Sequence, residues 1–378
     1  ENDGSVGAAA WSGSPYRFAM EGKDGNNECV AEIPADIWEK MKTTPFNVQI
    51  TPTGDWWQVR ILDGHWSIGN AESNDITPNT PDKFVDNGDG TYSVVINADV
   101  VISTKAEFFS FANDVNVNGN SYSGKTIALA NDIDLENEEW IPIGQTGTSY
   151  GAITYFQGTF DGNGKTIKNL VIDGGSSSDI GFFGVTQNGE IKNLVIENAK
   201  VSGRLNVGVV AGTPYTSKYS NITVTGHVEV DGMAYVGAVG GKNAYANWSN
   251  ITVNVDETSY VNANSIENGT AYRTYVGGVI GFCGEGGHSF SNIYSNINVK
   301  GSTCDVGGIV GIAHYGNNFV NCVCEGDVEI YNAAEEADVQ EIGGIAGVWH
   351  NENGTKVTFT NCQFTGELKA NNGYVINT

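Results

Sequence analysis

One glycine-punctuated apolar phrase recurs along the chain and limits the folds open to it. It reads IGFFGV at 180–185, VGVVAG at 207–212, VGAVGG at 236–241, VGGVIG at 276–281, VGGIVG at 306–311 and IGGIAG at 342–347. A second phrase precedes each copy: KNLVID (168–173), KNLVIE (192–197), SNITVT (220–225), SNITVN (249–254), SNIYSN (291–296) and VNCVCE (320–325). TNCQFT (360–365) opens a last, unfinished turn. Asn169, Asn193, Asn221, Asn250, Asn292, Asn321 and Asn361 therefore align, at spacings of 24, 28, 29, 42, 29 and 40 residues.

Within each unit apolar residues alternate at period two after the Asn, as in Leu194 and Ile196 or Ile222 and Val224, which is the pattern of short strands. Gly and Asn interrupt every stretch, so helices are excluded from the repeat. Strands repeated at this period cannot bury their apolar side alone; stacking like on like makes a continuous core. The pattern predicts a parallel β-helix, with Ile309 of VGGIVG filling the interior. Glycine serves where the coil turns tightly or where stacked backbones leave no room for a Cβ. Asn tolerates left-handed geometry, and in-register amides can bond from coil to coil as a ladder.

Composition agrees with turns and strands: among 378 residues there are 50 glycines and only 8 prolines, without the strict glycine period of collagen. The net charge of −25 repels phosphate backbones and anionic lipid, which argues against nucleic-acid and membrane-surface binding. No run reaches the ~18 apolar residues of a membrane span. The chain begins at Glu1 without a leader, and the expectation is a leader removed upstream, with a lipid anchor there left open. Cys29, Cys283, Cys304, Cys322, Cys324 and Cys362 show no paired zinc pattern. Cys322 and Cys362 stand where other units carry Leu170, Leu194, Ile222, Ile251 and Ile293. They are expected as small core residues, although the coil spacing leaves a bridge between consecutive coils open.

These residues resemble the GLUG-repeat proteins, found among bacterial surface adhesins and peptidase-associated regions. The likeness covers roughly residues 101 to 378, with Gly, Val, Ile or Ala where the family's name has Leu. KAEFFSFANDVNVNGNSYSGKTIALANDIDLENEEWIPIG (105–144) and FQGTFDGNGKTIKNLVI (156–172) look like the start of such an array. The resemblance implies a short helix capping the first coil, and it bears on fold far more than on function.

Residues 1 to about 100 share none of the repeats. FNVQI, WQVRILDG and DNGDGTYSVVINADV suggest strands, with a short helix around Ala35–Lys42 and a glycine hairpin at Asp86–Gly90. An antiparallel β-sandwich of jelly-roll type fits best, and it looks like the small carbohydrate-binding-like modules that precede such arrays. Trp11, Trp38, Trp56, Trp57 and Trp66 all lie here. Adjacent strand residues point to opposite faces, so Trp56 and Trp57 cannot both be core. Exposed indoles can stack on sugar rings, which makes Trp11, Trp56, Trp57 and Trp66 the candidate ligand-binding residues. Burial in core and loops is the competing account.

Several motifs invite chemistry. GNSYSGKT (119–126) matches the phosphate-loop expression, but that loop needs an apolar strand before it and a helix after it; the strand-like IALANDIDL follows instead. DNGDGTY (86–92) and FDGNGKT (160–166) look like calcium loops, yet Asn97 stands where an EF-hand needs its acidic twelfth ligand. Turns account for both, with a calcium on Asp86 and Asp89 left open. The N-I-T sequons at Asn221 and Asn250 arise from the repeat itself. β-helix lyases and hydrolases need clustered carboxylates or a calcium with a basic residue. Here Arg204 and Arg273 stand alone, and His65, His227, His288, His314 and His350 are scattered without metal-pair spacing.

The sequence thus predicts an all-β protein: a jelly-roll-type sandwich over 1–100, then a right-handed parallel β-helix of about nine coils over 101–378. The expected function is non-enzymatic adhesion, secreted or at the cell surface of a Gram-negative outer membrane. Its ligand would be a glycan or host surface protein; the chain would be monomeric, without cofactor or metal. The alternatives are a polysaccharide lyase or hydrolase and a purely structural stalk. If the array itself binds, the long inter-repeat segments 256–275, 327–341 and 145–156 are where loops would emerge.

Overall fold

The computed structural model describes residues 98–145, 153–264, 274–284, 286–302, 304–332, 341–351 and 354–370. It also describes the backbone of the short strands at 46–50, 59–60, 75–76, 85–86, 92–96, 266–267, 270–271 and 375–377. Among these residues the architecture is all-β with parallel sheets, consistent with a parallel β-helix. Successive coils each contribute a strand to three sheets of 16, 7 and 6 described strands. The longest file in the first sheet runs through nine strands, from Val100–Ile102 to Thr358–Thr360.

The apolar alternation seen in the sequence becomes vertical columns. Leu194, Ile222, Ile251, Ile293 and Cys322 pair in register from coil to coil, and all are buried. Aromatic residues stack in the same manner. Phe290 lies 4.6 Å from Phe319 at 12°, and Phe319 lies 5.2 Å from Phe359 at 16°. Like-on-like ring contacts of this kind contribute about 0.5–1.5 kcal/mol each beyond the area they bury.

Asparagine makes the bends. The strand Glu190–Ser202 turns at Asn193 and Asn198, whose φ angles are 53° and 59°. The side-chain amide of Asn193 donates to Asp161 at 3.0 Å, and Asn221 to Asn193 at 3.0 Å. Asn250, Asn292, Asn321 and Asn361 continue the ladder at 2.9, 2.9, 2.9 and 3.3 Å.

Asn169 is the exception to the predicted column. It stacks between Asp134 (2.8 Å) and Asn198 (3.2 Å), in a second file at the next bend. Accordingly Thr166–Asp173 pairs with Val195–Ser202, which sets Leu170 over Ala199 instead of Leu194. Each of these coils has two asparagine bends, and the near-identical KNLVID and KNLVIE fall at different ones. The second file ends above Asn198, where Gly226 takes the left-handed position at φ 78° and the His227 N–H donates to the Asn198 oxygen at 2.9 Å.

The glycine phrase forms the corner between the second and third sheets. Ile180, Val207, Val236, Val276, Val306 and Ile342 point inward and are buried, as is Ile309. At this corner stacked backbones touch. A Cβ on Gly237 would stand 2.6 Å from the Val279 carbonyl oxygen and 2.8 Å from the Gly281 nitrogen. No side chain fits there.

The expected capping helix is present. Helix α1 (Lys105–Asn116) begins with a capping box: the Glu107 N–H donates to the Thr104 hydroxyl, and the Thr104 N–H donates back to the Glu107 carboxylate. Its buried face, Phe108, Phe111, Ala112 and Val115, closes the core against Trp140, Phe160 and Phe182. GNSYSGKT leads into the strand Thr126–Leu129, not a helix, and Lys125 pairs with Asp99 at 2.8 Å. FDGNGKT is a turn in which the Asn163 N–H donates to Asp161 at 2.7 Å.

Toward the N-terminus, Phe46–Ile50 and Val85–Asp86 each pair antiparallel with Tyr92–Ile96 in one sheet. The second pairing flanks the hairpin read at Asp86–Gly90, whose turn lies outside the described residues. The helix around Ala35–Lys42 lies outside the described residues.

Candidate functional site

Trp11, Trp56, Trp57 and Trp66 lie outside the described residues. Beyond the first hundred positions, Trp140 and Trp248 are buried, and Trp349 is 41 % exposed.

The glycine corner presents two outward columns. Strand alternation turns the residue before each inward Val or Ile away from the coil interior: Asp179, Asn206, Tyr235, Tyr275, Asp305 and Glu341 on the second sheet, of which Asp179 and Asp305 are buried. On the third sheet Val185 pairs with Thr213, Lys242 with Phe282, and Phe282 with Ile312, which pairs with Val348; of these only Lys242 and Phe282 are partly exposed, and the others are buried. The two columns meet across the corner. In the early coils the meeting is polar: the Thr213 hydroxyl and the Asn206 amide (2.7 Å) both donate to the Asp179 carboxylate.

The middle coils replace this polar contact with rings, before the column returns to acids at Asp305 and Glu341. Tyr235 and Tyr275 stack at 5.9 Å and 8°. Phe282 lies 4.9 Å from Tyr235 and 5.6 Å from Tyr275, with the Lys242 ammonium 5.8 Å from its centroid. Phe282 in turn contacts His314 at 6.0 Å, and His314 contacts Tyr315 at 5.3 Å and His350 at 4.7 Å. An unbroken chain of ring contacts therefore climbs the outer surface from Tyr235 to His350. Every member is partly open to solvent.

Backbone strain marks three of the tyrosines near this band. Tyr235, Tyr245 and Tyr315 sit at φ 58°, 68° and 53°, a region in which a bulky residue is an outlier costing about 1 kcal/mol. One coil before Tyr235 the same column holds Asn206 at φ 55°, a residue suited to that geometry. Tyr245 and Tyr315 are 44 % and 36 % exposed, so their rings return little core packing for the strain. Retained strain of this kind clusters at functional sites.

Sequence reasoning missed this band because it followed tryptophans. The available signal was the residue before each V-G, where Tyr235 and Tyr275 replace Asp, Asn or Glu.

A second surface lies where the first sheet gives way to the second. It is an open groove of about 610 Å³ crossing successive coils, lined by Ser202, Arg204, Asp231, Met233, Asn262 and Asn264 among others. Arg204 thus faces a groove shared with one carboxylate, Asp231, which accepts hydrogen bonds from Tyr260 (3.0 Å) and Asn262 (2.9 Å). Asn262 and Asn264 come from the inter-repeat segment 256–275; Arg273 lies outside the described residues. Among the described residues no group of three or more His, Cys, Asp or Glu is placed to hold a metal ion, and no helix is long and apolar enough to cross a membrane.

No protein-family model matches the chain. Over 89 residues, 22 % of its length, the chain is 43 % identical to halomucin of Haloquadratum walsbyi, and it spans 1 % of that protein. Among solved structures it is similar to a chain described as a "putative immunoglobulin A1 protease" from Bacteroides ovatus. That likeness has 21 % identity and a TM-score of 0.45, covering 71 % of this chain and 67 % of the other.

Proposed function

We propose that the chain is a non-enzymatic, adhesin-like protein, secreted or held at the cell surface, whose coils display an aromatic band to a glycan. The observation that carries this reading is the continuous ring surface from Tyr235 through Phe282 to His350. Aromatic faces open to solvent stack on the apolar faces of sugar rings, and a coil rise of ~4.8 Å offers ring after ring along an extended chain. Flanking Lys242 adds a hydrogen-bond donor beside the rings.

The stacked coils act as the rigid support, wound right-handed in keeping with the strong preference of parallel crossovers. The GLUG-type phrases are read as the sequence form of that support. The N-terminal module, read as a jelly-roll sandwich, adds a second contact surface through Trp56 and Trp57. The polar groove at Arg204 has one acid, already bonded to Tyr260 and Asn262, where polysaccharide cleavage by two carboxylates needs a pair. That composition favours binding over catalysis.

The test is a glycan-array screen of the full chain beside a Tyr235→Asn/Phe282→Lys variant. These changes install what neighbouring coils carry at the same columns, so the fold is retained. Binding that falls in the variant supports the reading. Binding that is unchanged, or absent from the wild type, overturns it for the band and returns attention to a host surface protein.

A further inference from the structure

Cys322 and Cys362 follow consecutive ladder asparagines, in VNCVCE and TNCQFT. Their strands are in register on either side, with Val320 opposite Thr360 and Val323 opposite Gln363. The Asn361 amide donates to Asn321 at 3.3 Å immediately before them. The two cysteines therefore stand one above the other at a coil spacing of ~4.8 Å, inside the Cα range that a disulfide spans. Both are free thiols: the Cys322 thiol donates to the Phe290 carbonyl at 3.9 Å and the Cys362 thiol to the Phe319 carbonyl at 3.6 Å. Among the described residues no other cysteine has a cysteine above or below it: Cys283 stacks on Asn243 and Ala313, Cys304 on Thr274, and Cys324 on Ser295 and Phe364.

We propose that this pair is an oxidative modification site, closed to a disulfide by a low-molecular-weight disulfide such as oxidised glutathione, which staples the last described coil of the first sheet to the coil before it. Cys322 is buried and Cys362 is partly exposed, which makes Cys362 the attacking group. The neighbouring Cys322 thiol holds the Cys362 thiol below the ordinary range, while Cys362 and burial push Cys322 up. Thiolate chemistry begins at the lower of the two. The Cys362 sulfur attacks one sulfur of oxidised glutathione, forming a mixed disulfide and releasing one glutathione. The Cys322 thiol then loses its proton and attacks Cys362 Sγ, releasing the second. Two protein thiols are oxidised, one small disulfide is reduced, and both protons leave on glutathione.

The bridge closes a 40-residue separation and ties down a coil whose apolar face is only half covered: Phe359, Cys362, Phe364 and Leu368 pack against the core while staying partly exposed. This site is independent of the glycan reading.

The test incubates the full-length native chain with oxidised glutathione, alkylates the remaining thiols, and maps the peptides by mass spectrometry. The expected result is a Cys322–Cys362 linked peptide two hydrogens lighter than the sum of its parts, lost on reduction and absent from Cys362→Ser. Oxidation should also raise the wild-type thermal midpoint and leave that variant's unchanged. Full alkylation of both residues after treatment, glutathione retained on Cys362 without linkage, or Cys362 bridged to Cys29 would each overturn the proposal.

Discussion

The side-chain amide of Asn250 donates to the side-chain oxygen of Asn221 at 2.9 Å, and the amide of Asn292 donates to Asn250 at the same distance. Asn250 holds φ 55°, so one residue provides both a left-handed bend and two rungs. Asn250→Ala removes both rungs and leaves an alanine in a strained region, at a cost of about 3 kcal/mol. Asn250→Gly keeps the bend and loses only the rungs, about 1–2 kcal/mol. Chemical unfolding of the two variants separates the contributions; equal losses would show that the amide ladder alone matters.

Gly237 tests the corner. Its missing Cβ would stand 2.6 Å from the Val279 oxygen, a backbone atom fixed by the next coil. Gly237→Ala is expected to cost about 3 kcal/mol through overpacking. Gly164→Ala serves as the comparison, because Gly164 has φ 69° and nothing within 4 Å of its would-be Cβ. There the cost is the backbone strain alone, about 1 kcal/mol. Thermal melts that rank the two the other way would contradict the close-approach account.

The aromatic band yields a graded expectation. Tyr235→Asn/Phe282→Lys should weaken glycan binding at least tenfold, about 1.4 kcal/mol, with cooperative unfolding retained. Trp349→Ala, at the far end of the third sheet near Phe359 (6.1 Å), should weaken it less. Calorimetric titration of a glycan that scores on the array measures both.

Asp161 heads the asparagine ladder and is fully buried. Burial pushes its carboxyl up from the usual range, and the bonds from Asn193 and Asn163, with the Lys192 ammonium at 3.8 Å, oppose that shift without reversing it. The folded state therefore holds the proton more tightly than the unfolded chain. The stabilisation linked to that proton is present below the ordinary carboxylate range and is lost as pH rises through the elevated value. Asp161→Asn keeps an acceptor for Asn193 and removes the ionisation. It should gain stability on the wild type at about pH 7 compared with about pH 4, as read by urea unfolding. A difference independent of pH would refute this.

Much of the stacked architecture was legible because the same residue recurs wherever the same geometry recurs. Asn193, Asn221 and Asn250 announce their ladder, while the capping helix at Lys105 is expected only from the resemblance to other arrays. Asn169 misled for the same reason. Two bends in one coil demand the same residue type, and only the hydrogen-bond register tells them apart. The ring band was harder to see, since Tyr235, Phe282, His314 and His350 are spread over more than a hundred positions and become neighbours only by stacking. No local pattern marks such a surface; what marks it is a bulky residue at a position whose counterparts are Asn or Asp. The candidate tryptophans rest on strand alternation at Trp56 and Trp57, which lie outside the described residues.

Because each rung joins only adjacent coils, the array has a natural unit of inheritance. Asn221 and Asn250 are separated by 29 residues, and excising 222–250 would leave Asn221 to accept the amide of Asn292 that Asn250 accepts now. Ile251 would follow Asn221 as Ile222 does. Unequal recombination between such copies can lengthen or shorten the molecule by a coil while leaving every junction chemically familiar, so its reach can change from generation to generation without the invention of any new contact.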